Sequence, residues 1–213
     1  MRREVMKITT LLLLALLSVS GLAKSLHDAA EKGDIEAVKA LIAKGEDVNA
    51  QNEKFKQTPL QIATYNEHED IVKYLIDAGA DINSKMKNGR TALHIAAFYG
   101  SKKSIASLLR AGAKVEIKGN DGTTPLHRAA EGGDVDTINM LLSEGARINA
   151  RDNDMATPLH VAAYLGNADA AKFLVQKGAD IMARNADGNT ALEEAQDAEE
   201  IDTIQTLQSL ASK

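Results

Sequence analysis

The chain has 213 residues, is 44% hydrophobic and 26% charged, and carries a formal net charge of −5 at pH 7. It contains no Cys, which excludes disulfides, thiolate metal sites and a Cys nucleophile. Aromatic residues make up only 3% and Trp is absent, so any core must be built from Ala, Leu, Ile and Val, a composition that suits thin, closely packed helices.

The first residues form a three-part layout. Arg2, Arg3 and Lys7 make a basic start, Ile8 to Val19 is almost wholly apolar, and the small-residue stretch ends Gly21-Leu22-Ala23. This pattern reads as a secretory signal peptide over residues 1–23, cleaved after Ala23. The apolar run is too short for a helix to cross a hydrocarbon core of about 30 Å. Its Leu-rich centre suits the general secretion route better than a twin-arginine signal. The expected product, residues 24–213, is therefore periplasmic or secreted, with no stable membrane insertion; the rival reading of the same segment is an uncleaved membrane anchor. Removing Arg2, Arg3, Lys7 and Glu4 takes the basic and acidic counts from 25 and 30 to 22 and 29, a charge of −7. A net acidic chain argues against a nucleic-acid partner.

Beyond the leader the chain repeats itself. Thr58-Pro59-Leu60, Thr91-Ala92-Leu93, Thr124-Pro125-Leu126, Thr157-Pro158-Leu159 and Thr190-Ala191-Leu192 recur every 33 residues. An earlier copy, Leu26-His27-Asp28-Ala29-Ala30, is offset by one residue more, and the extra residue falls between Gln51 and Gln57. Six copies result, at about 24–57, 58–90, 91–123, 124–156, 157–189 and 190–213. Within each copy two short helices are expected. The first is rich in small residues, such as Ala96-Ala97 and Ala129-Ala130. The second carries an apolar stripe at i, i+3, i+4, as in Ile105-Leu108-Leu109 and Ile138-Leu141-Leu142, which buries one helix face. Ser25 is placed to cap the first helix of the series; Asp34, Ser101, Asp134 and Asn167 are placed to cap second helices. Gly45, Gly79, Gly112, Gly145 and Gly178 follow the second helices, where a left-handed residue ends a helix. Asn88-Gly89, Asp121-Gly122 and Asp187-Gly188 mark tight turns in a short hairpin between copies.

A Thr-Pro-Leu-His-x-Ala motif on a 33-residue period, with a helix pair and a turn, resembles the ankyrin repeat over all six copies. The resemblance implies an all-α ankyrin-repeat solenoid of six stacked helix-turn-helix repeats with short hairpin loops. It also implies hairpin fingers along one edge and a concave groove lined by the first helices. The chain departs from the motif in several places. Ala92 and Ala191 replace Pro, Gln61 and Glu193 replace His, and Glu67 replaces a Gly, so the second copy is expected to turn differently between its helices. Gln208 stands where Val or Leu is usual, which suits a C-terminal capping repeat with a wetted outer face.

His27, His94, His127 and His160 share one repeat position. Equivalent residues on stacked helices lie about 8–10 Å apart, whereas zinc ligands approach to about 2 Å. The series therefore reads as structural, each ring bonding to its own Thr or to nearby loop backbone, with no metal and no cofactor. No nucleophile elbow, phosphate loop or His-Glu-x-x-His occurs, so no catalytic residues are expected and the chain reads as a non-enzyme.

The positions that the repeat leaves free carry the functional signal. Ile62, Tyr65, Ile95, Phe98, Tyr99, Arg128, Val161, Tyr164 and Leu165 are expected on the concave face, and they include four of the seven aromatic residues. Rings near an Arg are favoured at binding hot spots. At the first two fingers Lys54, Phe55, Lys85, Met86 and Lys87 combine charge with apolar surface. The expectation is an exported, non-enzymatic scaffold, monomeric, that binds a protein partner through groove and fingers, as inhibitor or chaperone of an exported enzyme. The alternatives are a secreted effector that binds host proteins, a structural spacer, and a His-dependent metal protein or enzyme.

Overall fold

The computed structural model describes residues 25–212. The signal peptide expected at residues 1–23 lies outside the described residues. Twelve helices follow in six pairs, and no strand occurs among the described residues. The inner helices are α1 (Leu26–Lys32), α3 (Pro59–Tyr65), α5 (Ala92–Tyr99), α7 (Pro125–Gly132), α9 (Pro158–Tyr164) and α11 (Ala191–Asp197). The outer helices are α2 (Ile35–Ala43), α4 (Glu69–Asp77), α6 (Lys102–Arg110), α8 (Val135–Ser143), α10 (Ala168–Gln176) and α12 (Ile201–Ala211). Each inner helix packs on the next inner helix and on its own outer partner, and the outer helices pack on one another except at α6 and α8, which a cleft lined by Leu109, Arg110, Asn139 and Met140 separates.

The side chains explain this stacking. Ala29, Ala63, Ala96, Ala129, Ala162 and Ala195 are fully buried in the inner helices, where a larger residue would hold neighbouring helices apart. Leu60, Leu93, Leu126 and Leu159 fill the space between inner and outer rows, against Ile71, Leu75, Ile105, Leu108, Ile138, Leu141 and Leu174. No single pair could bury both of its faces; the core exists only because pairs are stacked. In the last described outer helix Leu207 is buried, whereas Gln208 is exposed.

Helix ends follow the expected chemistry with two exceptions. Ser25 accepts the N–H of Asp28 at 3.2 Å, Asp34 that of Ala37 at 2.9 Å and Asp134 that of Asp136 at 3.1 Å. Ser101 and Asn167 occupy the expected cap positions but make no side-chain cap bond. Asn167 instead turns back to the preceding repeat, its amide donating to the carbonyls of Ala130 and Glu131 at 2.9 Å each. Its Nδ2 thus serves the carboxyl end of the preceding inner helix, while its Oδ1 accepts no N–H of its own helix. Gly45, Gly79, Gly112, Gly145 and Gly178 all adopt left-handed φ between 86° and 97°.

The turn between inner and outer helices corrects one expectation. Gly33, Gly100, Gly133 and Gly166 are left-handed there, and so are Glu67 (φ 58°) and Glu199 (φ 60°). The second repeat does not turn differently; packing imposes the same turn on a residue that disfavours it by about 1–2 kcal/mol. Space explains why Glu67 is admitted. A Cβ at Gly33 would meet the His68 ring at 2.8 Å, and one at Gly100 would meet Asp134 at 2.8 Å. The residue at the matching place above Glu67 is Ser101, whose short side chain leaves room.

Two stability outcomes follow. Leu108→Ala, at the fully buried centre of the stack, should lower unfolding free energy by about 2–5 kcal/mol, while Tyr164→Ala should change it by no more than about 0.5 kcal/mol; chemical denaturation measures both. Glu67→Gly should raise stability by about 1 kcal/mol by relieving the left-handed strain. A fall in melting temperature on that substitution would contradict the account of the turn.

Candidate binding face

The concave face is framed by the caps of the inner helices. Nδ1 of His94 accepts the backbone N–H of Thr91 at 3.1 Å, so the ring proton sits on Nε2, which donates to the carbonyl of Thr123 at 3.1 Å. His127 links Thr124 to Ala156 in the same way, and His160 links Thr157 to Asn189. Each ring thus caps its own helix and holds the base of the next finger. Gln61 makes a related link with an amide: Oε1 accepts the N–H of Thr58 at 2.9 Å and Nε2 donates to the carbonyl of Ser84 at 2.6 Å, 23 residues on at the start of the next finger, where the His rings reach 29 residues on to its end. Glu193 has no following finger among the described residues to hold. Its carboxylate only accepts, from the Thr190 N–H at 2.7 Å and hydroxyl at 2.8 Å. The His series is therefore engaged through both ring nitrogens at α5, α7 and α9. Among the described residues no group of three His, Asp or Glu side chains could hold a metal ion.

A second ladder joins the fingers. Nζ of Lys85 donates to the carbonyl of Lys118 at 2.8 Å, Lys118 to Arg151 at 2.6 Å, and Arg151 to Arg184 at 2.7 Å. Asn120 and Asn153 add amide links between successive finger tips, at 2.9 Å each. Lys85 is thus a rung between fingers as well as a surface cation. The signal for it was present as four cations on the 33-residue period, at 85, 118, 151 and 184. The left-handed tips at Lys56 and Met155 (φ 55° and 59°) were masked because neither residue is Gly.

Between fingers and inner helices lies the groove. Tyr65, Tyr99 and Tyr164 are 53%, 40% and 55% exposed, and Leu165 and Phe55 also face solvent. Ile62, Val161, Met86 and Phe98 are half-buried, and Lys54 and Lys87 are exposed on the fingers. Ile95 keeps only 8% of its surface and forms floor, not a projecting anchor, because α3 and α7 close over both sides of α5. Phe98 serves as a platform: the Arg128 guanidinium lies 4.6 Å above its ring and is ion-paired to Glu131. Tyr99 meets Phe98 edge-on at 4.9 Å and Tyr65 at 5.4 Å, so three rings form one cluster. The hydrogen bond to Tyr65, with burial second, pushes the Tyr99 phenol up.

The groove contains three hollows. The largest, about 760 Å³, is lined by Lys54, Phe55, Ile62, Tyr65 and Met86. Next to it, about 250 Å³ is lined by Tyr65, Arg90, Ile95, Phe98, Tyr99 and Arg128. Farther along, about 210 Å³ is lined by Glu131, His160, Val161, Tyr164, Leu165 and Glu194. Arg90 stands on a basic finger and Glu131 on the concave face, as their repeat positions predict, whereas Glu194, which reads in the sequence as part of a solvated acidic face, lines the far hollow.

The buried rings make stability depend on pH. Burial pulls the His94 pKa down to about 4, against 6.5 for a free ring, and lowers that of His127 also. A ring held neutral when folded but protonated when unfolded favours unfolding in acid. The stabilisation from His94 is therefore complete above pH 6.5 and is lost between pH 6.5 and about 4, amounting to roughly 3 kcal/mol. His94→Gln should remove much of that dependence in denaturation curves recorded across the window; an unchanged slope would show that the ring is not the titrating group.

Comparison with known proteins agrees with this geometry. The profile described as ankyrin repeats (3 copies) matches residues 26–119, 86–152, 105–185 and 151–212. Protein phosphatase 1 regulatory subunit 27 of Homo sapiens is 41% identical over 76 residues, 36% of this chain and 48% of that protein. Ankyrin repeat and SAM domain-containing protein 6 of Rattus norvegicus is 42% identical over 64 residues, 30% of this chain and 7% of that protein. The chain thus spans less than half the length of these curated relatives. The crystal structure of the human ASB11 ankyrin repeat domain superposes with a TM-score of 0.80 at 28% identity, covering 89% of this chain and 85% of that one. Ankyrin repeat domains are generally protein-binding scaffolds, and the fold is typically non-enzymatic. With all six repeats matched in sequence and in structure, the chain belongs to the ankyrin repeat family.

Proposed function

We propose that this protein is an exported, non-enzymatic scaffold that binds a folded protein partner along the groove from Ile62 to Leu165 and through the basic first fingers. It acts as a monomer, with no nucleic acid and no cofactor, as inhibitor or chaperone of an exported enzyme. The observation that carries the reading is the exposure of Tyr65, Tyr99 and Tyr164 on the concave face. Stacking is accomplished by Ala and Leu, so it does not account for rings that stand in solvent. Tyr and Arg concentrate binding energy at protein interfaces because they bring large area at low entropic cost. Export is supported by the basic start, apolar run and Ala23 of the leader. Among the described residues no helix is long and apolar enough to cross a membrane. A regulatory-subunit name on one relative is compatible with control by binding.

Capture of a partner from native extract tests the reading. A Tyr65→Ala, Tyr99→Ala, Tyr164→Ala variant spares Phe98, which carries Arg128, and should fold as the parent does. It should lose the partner held by the parent, by about 2 kcal/mol or more if these are hot spots. Equal retention by both would move the site off the groove. The N-terminus of chain recovered outside the cytoplasm should be Lys24; an intact leader on cytoplasmic protein would remove the export element.

A further inference from the structure

The groove is electrically uneven along its length. The 250 Å³ hollow is lined by two guanidinium groups, Arg90 and Arg128, and by no carboxylate. The 210 Å³ hollow is lined by Glu131 and Glu194 and by no Lys or Arg. Each guanidinium has five donors yet meets a single carboxylate here, Arg90 at Asp121 (3.0 Å) and Arg128 at Glu131, and Nε of both lacks a partner. Lys54 and Lys87 stand exposed at the adjoining finger tips, and Glu31 and Glu53 lie at the rim of the 760 Å³ hollow, so the positive charge is concentrated at Arg90, Arg128 and Lys87. The 250 Å³ hollow shares Gln57, Tyr65, Met86 and Asn88 with the 760 Å³ one, so the two are continuous.

We propose that this end of the groove recognises an acidic residue next to an apolar one in an exposed segment of the partner. The carboxylate is received by Arg90 and Arg128 beside the Tyr65 and Tyr99 hydroxyls. The apolar side chain enters the neighbouring hollow walled by Phe55, Ile62 and Met86. This inference rests on the reading of the groove as a protein-binding face. Charge complementarity selects the occupant: a basic segment would be repelled at the Arg90–Arg128 hollow, which has no carboxylate in its lining, and Glu131 at the next hollow is already ion-paired to Arg128. The rings and the guanidinium stacked on Phe98 are already ordered, so little rotamer freedom is lost on binding.

The test uses fluorescein-labelled peptides and the full chain, followed by anisotropy. Asp-Glu-Leu-Phe-Glu-Asp should bind, and its affinity should fall as salt rises. Lys-Arg-Leu-Phe-Lys-Arg and Asp-Glu-Ser-Gly-Glu-Asp should each bind at least about tenfold more weakly, as expected for loss of one charged hydrogen bond or one apolar anchor. Arg90→Gln should weaken the first peptide about tenfold. Lys87→Glu should weaken it as well, and because no side-chain contact holds Lys87 in the structure, this variant keeps the fold intact. Lys172→Gln, on the exposed side of outer helix α10 and away from the groove, should leave it unchanged. Equal binding of the basic peptide, binding indifferent to both charge substitutions, or no binding of the acidic–apolar peptide would overturn the proposal. The groove reading is judged separately: a native partner lost with the three Tyr substitutions but retained by Arg90→Gln leaves the groove and removes the acidic subsite.

Discussion

From α5 to α9, each inner helix starts on a threonine whose N–H is accepted by a histidine three residues on, and the far side of that ring holds the base of the next finger. Helix N-termini carry orphan donors, and fingers carry orphan carbonyls; both are buried here and would be costly if left unmet. One ring meets both needs at once. Because it spans two repeats, it makes the start of each helix depend on the finger that follows. The same demand explains the substitutions. An amide has an acceptor and a donor, so Gln61 works inside the stack. A carboxylate only accepts, and Glu193 accepts from Thr190 at its helix start, with no following finger among the described residues.

Rigid coupling of fingers to helices is what turns a stack into a binding face. The Lys85–Lys118–Arg151–Arg184 ladder and the asparagine links tie finger to finger, so the groove walls hold their spacing without a partner. The groove floor is equally ordered, with Arg128 laid on Phe98 and Tyr99 wedged against Tyr65. Preorganisation of this kind lowers the entropic cost of association. What the face concentrates is exposed rings and two guanidinium groups, Arg90 and Arg128, at one hollow.

Much of this was legible in the sequence because the repeat is its own alignment. The 33-residue period located every helix pair, and the alanines and stripe leucines identified the core. The helix-ending glycines and the role of the His series also followed from position alone. What escaped were properties created by neighbours in space. Glu67 looked like a broken turn, but Ser101, a residue in the next repeat, gives it room. Asn167 looked like a cap, but an adjacent helix end offered its amide two carbonyls. Ile95 shares the repeat position of Ile62 and Val161, and Phe98 that of Tyr65 and Tyr164. Yet Ile95 is sealed as floor and Phe98 covered by an arginine from the next helix, whereas Tyr65 and Tyr164 remain open. Lys85 read as free surface charge until the ladder placed its ammonium on a carbonyl of the next repeat.

The claim that buried side chains couple each cap to the following finger is tested most directly by native-state hydrogen exchange on His94→Leu and His94→Gln. Leucine fills the space but leaves the Thr91 N–H and the Thr123 carbonyl unmet, whereas glutamine has the groups that serve in the preceding repeat at Gln61. The account predicts that His94→Leu speeds exchange at the amides of Thr91 and residues 119–124 while the finger at residues 185–190 stays protected, and that His94→Gln restores most of the protection. Uniform loosening in both variants, or no change at 119–124 in the leucine variant, would contradict it.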